Sequence, residues 1–189
     1  MFLYRSDYRA PSEIFMRGFQ SWGNNDNLLW HVRGLTIATI NNQYGSAFIS
    51  TSTIRQKAID FNAHSTNRRD FYIYEISSSG NFFSVKRSFQ SACVRFGEFQ
   101  YFEAIEQFGR QDEYVAFKHI TPGQIFRATR YIYNHLTGIY QRAETRKNAR
   151  YSYSECYQVN TEPYPHMVSA LTPMPPELGL EVVELLLRK

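Results

Sequence analysis

Short runs in which apolar and polar residues alternate dominate this chain, and they predict strands more often than helices. The clearest is Phe71-Tyr72-Ile73-Tyr74-Glu75-Ile76, whose aromatic and β-branched residues suit a pleated, half-buried surface. Residues 2–5, 47–52, 81–85, 113–118 and 126–133 read as further strands. Helical signals are fewer. Pro11 fits a helix start after Arg9-Ala10, with Ser12 and Glu13 in the first turn and an end near Gly18. Residues 28–32 predict a short helix, 53–61 a second one capped by a preceding hydroxyl, and 98–108 an ambiguous segment that leans to helix. Gly23 to Asn27, Pro122 to Ile125 and Asn134 to Gly138 are turns, the last of them hairpin-like. After Arg150 the pattern weakens, and Pro163, Pro165, Pro173, Pro175 and Pro176 argue against regular structure there. Residues 181–189 read as a short amphipathic tail.

The order of elements is α+β, with helices early, no regular βαβ alternation, no internal repeat and no glycine-rich dinucleotide fingerprint. One domain over 1–189, with a proline-rich irregular segment from about 151, fits a chain of this length. Apolar residues at 43% and charged residues at 20% exclude a disordered chain. The aromatic share of 16% builds a core and can also offer a stacking surface to a planar ligand. A net charge of +4 permits an anionic ligand, a nucleic acid or an acidic protein without choosing among them. Arg142, Arg146, Lys147 and Arg150, the densest basic cluster, read as a solvated face or loop. Cys93 and Cys156 allow one disulfide or none. No run reaches the length of a spanning helix, and Met1-Phe2-Leu3 lacks the build of a signal peptide. That leaves a cytosolic protein, a mature secreted one, or a toxin domain cut from a larger chain.

Candidate chemistry sits on three strands. Arg5 is flanked by Tyr4 and, two residues on, Asp7; its rigid fork of donors can grip a phosphate, or simply pair with Asp7. Glu113 opens a later strand, and a carboxylate there suits a sugar hydroxyl beside a developing positive charge. Gln111 lies two residues earlier and at period two shares the face of Glu113, with Asp112 on the opposite one. Ser50, Thr51 and Ser52 end a strand with hydroxyls that can orient a ligand or cap the next helix. His31 can act as a base or be structural; Trp22, Tyr4 and Tyr8 can face a nucleotide or pack. His64, His119, His135 and His166 show no metal-ligand spacing with cysteine or one another, and no metal is expected.

Taken in order, Tyr4-Arg5-Ser6-Asp7, Pro11, Ile14-Phe15, Gly18-Phe19, Trp22 to Asn27 and His31 resemble the amino-terminal signature of the pertussis toxin catalytic subunit family. Ser46 to Ser52 resembles its serine-threonine-serine strand. Tyr72 to Ile76 with Asn81-Phe82-Phe83 resembles its next strand pair, Gln111 to Tyr114 its catalytic glutamate strand, and Asn148-Ala149-Arg150-Tyr151 also recurs there. The likeness covers nearly the whole chain.

The resemblance implies an ADP-ribosyltransferase-like fold of two packed, mainly antiparallel sheets with short flanking helices. It implies a mono-ADP-ribosyltransferase toxin or effector that uses NAD as substrate without a metal. Glu113, Gln111 and His31 then become catalytic, and Arg5, Tyr4, Asp7, Trp22, Ser50, Thr51 and Ser52 hold NAD. A glutamine at position 111 argues against an arginine acceptor, and NAD hydrolysis without a target is a weak side activity. The implied partners are a host or competitor-cell macromolecule, protein before nucleic acid, and a delivery or immunity protein. The implied setting is secretion or translocation from bacteria into a target-cell cytosol. ADP-ribosylation of RNA or DNA and a non-catalytic NAD-binding module are the rival readings. The chain departs from the family in lacking a cysteine between Val32 and Asn42, and in having Lys57 and Phe61 where the toxin has tyrosines.

Overall fold

The computed structural model describes residues 1–36, 45–63, 69–96, 99–108, 112–152 and 164. Its frame is a seven-stranded sheet in the order β5-β6-β3-β1-β4-β8-β9, in which every neighbouring pair is antiparallel. The strands are β1 (Phe2–Asp7), β3 (Phe48–Ser52), β4 (Phe71–Ser77), β5 (Phe82–Ser84), β6 (Glu113–Phe117), β8 (Ile125–Asn134) and β9 (Ile139–Lys147). A second, two-stranded sheet pairs β2 (Phe19–Gln20) with β7 (His119–Ile120). The helices are α1 (Pro11–Arg17), α2 (Leu28–Val32), α3 (Arg55–Ala63), α4 (Val85–Phe96) and α5 (Phe99–Phe108).

Strand alternation divides the large sheet into two packed faces. Phe48, Phe83 and Val115 point into one cluster with Leu28 and Leu29 of α2, Phe89 of α4 and Tyr101 of α5. Their chain neighbours Ile49, Phe82 and Ala116 point into the other, with Ile14 of α1 and with Phe19 and Ile120 of the small sheet. Helix α1 begins with Pro11 at its first position and carries Glu13 in its first turn and Arg17 in its last, each sign matched to the helix dipole. It stops at Gly18, whose φ is +71° and whose Cβ position would lie 2.1 Å from the Ile120 carbonyl oxygen. Only glycine fits where this turn meets the small sheet.

Two elements go beyond the sequence expectation. Strand β5 ends at Ser84 and the chain turns at once into α4, which the alternating pattern does not reveal. Ser84 starts that helix: its hydroxyl accepts the Arg87 amide (3.3 Å), and its carbonyl accepts the Ser88 hydroxyl (2.7 Å). Strand β9 is the second. It lies at the sheet edge with almost every residue exposed, so it carries no inward apolar stripe to read. It bears Arg142, Arg146 and Lys147 as an exposed face. The ambiguous 98–108 segment is helix α5 from Phe99 onward.

Two contacts tie the end of the described chain to this frame. Asn148, buried just after β9, donates its side-chain amide to the carbonyls of Pro122 (2.8 Å) and Ile125 (2.9 Å). Tyr164, also buried, packs against Phe48, Phe83 and Phe117, while its amide donates to Ser88 Oγ at 2.8 Å. The rest of the expected irregular segment from 151, the 181–189 tail, Cys156, His64 and His166 lie outside the described residues. Cys93, half-buried on α4, is a free thiol. Among the described residues no helix is long and apolar enough to cross a membrane.

Asn148→Ala removes the donor to the Ile125 carbonyl, the second donor to the Pro122 carbonyl and the acceptor of the Arg150 amide. Loss of about 2 kcal/mol of unfolding free energy is expected, measured by urea denaturation.

Candidate active site

The register of three strands assembles the site. Tyr4 of β1 lies opposite Ser52 of β3, and Ser52 lies opposite Glu113 of β6. This is the single register pair between β1 and β3. At Ser50 the bond from β1 comes from a side chain: Arg5 Nη1 donates to the Ser50 carbonyl at 2.8 Å. A cleft of about 880 Å³ opens here, within the size range of ligand sites. Its walls include Tyr4, Arg5, Trp22, His31, Ser50 and Glu113, with Lys57, Ala58, Asp60 and Phe61 of α3 along one side.

His31 stands on α2, whose start is capped by Asn27 Oδ1 accepting the Trp30 amide. Ser46 Oγ lies 2.7 Å from Nδ1 of the ring, and Ser50 Oγ lies 2.8 Å from Nε2. Ser46 Oγ also accepts the Phe48 amide (3.0 Å). With the Ser46 proton donated to Nδ1, a neutral imidazole carries its own proton on Nε2, facing Ser50 and, at 3.8 Å, Glu113 Oε1. Both side chains are only 12% exposed, so their interaction is poorly screened. Ser46 is a site residue the sequence reading did not single out. Its spacing of four from Ser50 is the available signal, since even spacings along extended chain share a face.

Arg5 is packed from behind. Its guanidinium lies over the Phe19 ring at 5.3 Å, and Asp7 Oδ2 is 3.7 Å from Nη2. Burial lowers the Arg5 pKa, and the charges of Asp7 and Glu113 partly offset this. The guanidinium keeps its charge, as arginine does in proteins. Asp7 is gripped more firmly by Arg9, which donates Nε (2.9 Å), Nη2 (2.8 Å) and its backbone amide (3.0 Å). Burial pushes the Asp7 carboxyl up. The Arg9 hydrogen bonds and the charges of both arginines outweigh this and hold it below the ordinary carboxylate value.

The other expected site residues divide. Tyr4 and Trp22 line the cleft, Trp22 with 63% of its surface exposed. Thr51 donates its hydroxyl to the Tyr114 carbonyl (2.6 Å) and pins β3 to β6. Ser52 Oγ accepts the Ile54 amide (3.1 Å) at the entry to α3, the capping role. Asp7 and Tyr8 are not among the lining residues. Gln111 lies outside the described residues. The alternation that would align it with Glu113 begins only at Glu113, because Asp112 has a φ of +48°. The Asp112 carboxylate turns toward Lys57 Nζ, at 3.5 Å, instead of continuing a strand. Among the described residues no group of three or more His, Cys, Asp or Glu converges as a metal site.

The model of the family described as pertussis toxin, subunit 1, matches residues 1–179. The chain belongs to that family. It is 31% identical over 209 aligned positions to pertussis toxin subunit 1 of Bordetella pertussis, covering 94% of this chain and 72% of that protein. A homolog of that subunit from Bordetella bronchiseptica is 32% identical over 188 positions, and the chain spans 64% of its length. The solved structure of EcPltA superposes with a TM-score of 0.75 at 29% identity, over 92% of this chain and 97% of that one. Nicked CARDS toxin shares the fold, with a TM-score of 0.67 at 23% identity over 92% of this chain and 34% of its own. By family and by fold the chain is of the ADP-ribosyltransferase toxin class, on antiparallel sheets with short flanking helices, as the resemblance implies.

Asp7→Asn keeps the shape but removes the charge shared by Arg5 and Arg9. A loss of about 2 kcal/mol at pH 7 is expected. The wild-type contribution is complete above the unfolded carboxylate value of about 3.9 and disappears as pH falls through the lower folded value. Urea denaturation from pH 7 down to acid therefore shows wild type and variant converging at the acid end.

Proposed function

We propose that the chain is a mono-ADP-ribosyltransferase, a toxin or effector that cleaves the nicotinamide–ribose bond of NAD and passes ADP-ribose to a macromolecule. The observation that carries this is the convergence of Glu113, His31, Ser50 and Arg5 on one cleft. Family membership and fold support the same chemistry.

In this reading Arg5 meets the pyrophosphate of NAD, a cation whose donors are already oriented by the Ser50 carbonyl and Asp7. As the glycosidic bond breaks, its electron pair goes to the ring nitrogen of nicotinamide, which leaves neutral, and C1′ of the ribose gains positive charge. The Glu113 carboxylate accepts a hydrogen bond from a ribose hydroxyl and offsets that charge in a site where water screens little. A nucleophile of the target forms the new bond at C1′ and releases its proton. When water replaces the target, the outcome is weak NAD hydrolysis.

With Nδ1 occupied by Ser46 and the proton of Nε2 directed at Ser50, His31 suits positioning better than proton abstraction. Trp22 and Tyr4 supply aromatic wall around the dinucleotide, and Thr51 and Ser52 hold the strand that presents Ser50. A non-arginine acceptor follows from Gln111 by sequence alone, with protein favoured over nucleic acid as the target. Release from bacteria and action in a target-cell cytosol follow from the family.

Glu113→Ala is expected to lower nicotinamide release and ADP-ribose transfer by about 100- to 1,000-fold. Circular dichroism and thermal midpoint should stay near wild type, since the side chain is at the cleft. Labelled NAD offered to fractionated lysate assigns the acceptor: label in protein supports the reading, whereas label in RNA or DNA moves it to the nucleic-acid alternative. Full activity of the variant, or bound NAD without nicotinamide release by wild type, overturns the catalytic assignment.

A further inference from the structure

Helix α3 forms one long wall of the cleft through Lys57, Ala58, Asp60 and Phe61, and its apolar anchorage is small: Ala58 and partly buried Ile59 against Phe71, Ile73 and Tyr131. Ala58 and Asn62 are its buried residues, and Phe61 is 78% exposed. A helix without an apolar stripe gains little from burial and must be seated by other means. The polar contacts at its first turn supply one. Arg55, its first residue, reaches down to Glu75 of β4, a carboxylate with only 3% exposure. Arg55 Nη1 is 3.4 Å from Glu75 Oε1, and Arg55 Nη2 donates to Thr129 Oγ1 at 3.2 Å. On its other side Glu75 Oε2 accepts Arg127 Nε of β8 at 2.8 Å.

Arg127 and Glu75 face each other in the β4–β8 register, so that half of the triad is fixed by the sheet. The Arg55 half joins the sheet to α3. Tyr4, a wall residue of the cleft, is the β1 register partner of Glu75, which puts this buried charge directly under the site. Burying ionised groups costs desolvation that apolar residues of similar size would avoid, so such a triad is a weak source of stability and a better source of fixed geometry. We propose that the Arg55–Glu75–Arg127 triad is a positioning device that seats α3 and thereby sets the width of the cleft. Glu75 and Arg55 act on NAD through α3 and touch no reacting atom. The inference rests on the reading of the cleft as the NAD site.

Arg55→Met tests it, because Glu75 keeps Arg127 and no carboxylate is left buried alone. Hydrogen exchange should become about tenfold faster at the α3 amides, with β4 and β8 amides unchanged. In NAD hydrolysis, KM for NAD should rise about five- to tenfold with kcat within about twofold of wild type, the pattern of weakened binding. Glu75→Gln, which keeps the side chain's size and an oxygen that can accept Arg127 Nε while removing the charge that Arg55 faces, should still lose more protection in α3 than in β4 and β8. Unchanged α3 exchange overturns the proposal. So does protection lost equally from α3, β4 and β8, which would make the triad a general stabiliser, and so does a fall in kcat at constant KM. Wild-type protein that turns over no NAD would instead refute the reading of the cleft, and the exchange comparison would still decide whether the triad seats α3.

Discussion

Antiparallel register around β3 is the constraint on which the site depends. One strand holds Glu113 opposite Ser52 on its β6 side and Tyr4 opposite the same serine on its β1 side. A slip of one residue between β3 and β6 would turn Glu113 to the far face of the sheet, into the cluster of Ile49 and Ala116, and a slip between β3 and β1 would do the same to Tyr4. Apolar residues on both faces forbid that slip. Thr51 adds a further pin through the Tyr114 carbonyl.

The same strand explains why charges can gather here without unfolding the site. Ser50 serves two partners with different atoms: its carbonyl holds Arg5 and its hydroxyl meets His31. Three of the site's polar groups are held from behind by neighbours of their own. Arg5 has Asp7, Asp7 has Arg9, and His31 has Ser46. Such a chain of partners leaves the faces toward the cleft available for a ligand and satisfies most of the buried polar atoms, Arg5 Nε excepted. On the other wall Glu75 is shared by two arginines, through a hydrogen bond from Arg127 and a longer ion pair with Arg55.

Much of this frame was legible in the chain. The strand at 71–76, the helix from Pro11 to the glycine at 18, the cap-and-helix at 28–32 and the strand opening at Glu113 all follow from local pattern, because each buries a stripe with the period of its own backbone. Helix α4 does carry a helical period, Val85, Phe89 and Ala92 at i, i+4 and i+7, but the strand ahead of it runs into it without a break and hides its start. Strand β9 escaped because an exposed edge needs no apolar alternation. Strand β6 starts at Glu113 because Asp112, before it, takes a left-handed conformation and meets Thr53 and Lys57, which lie far away in sequence; Gln111 lies outside the described residues.

The order of motifs from Tyr4-Arg5 to Asn148 determined, without coordinates, the α+β class, the family likeness and the residues worth watching, because residue type and short spacing carry those signals. It also contained the choice that Arg5 left open, between an anion and Asp7. Tertiary structure decided that Arg5 meets Asp7 while its fork also reaches the Ser50 carbonyl at the cleft. It likewise decided that His31 is held between Ser46 and Ser50, that Ser52 caps α3, and that Glu75 anchors the wall. These pairings join residues up to 52 positions apart, as Glu75 and Arg127 show. Arg5–Asp7 and the Ser52 cap span two residues and were open as local options; no local pattern encodes the others, which exist only once strand register and helix placement have brought distant backbone segments within hydrogen-bonding reach.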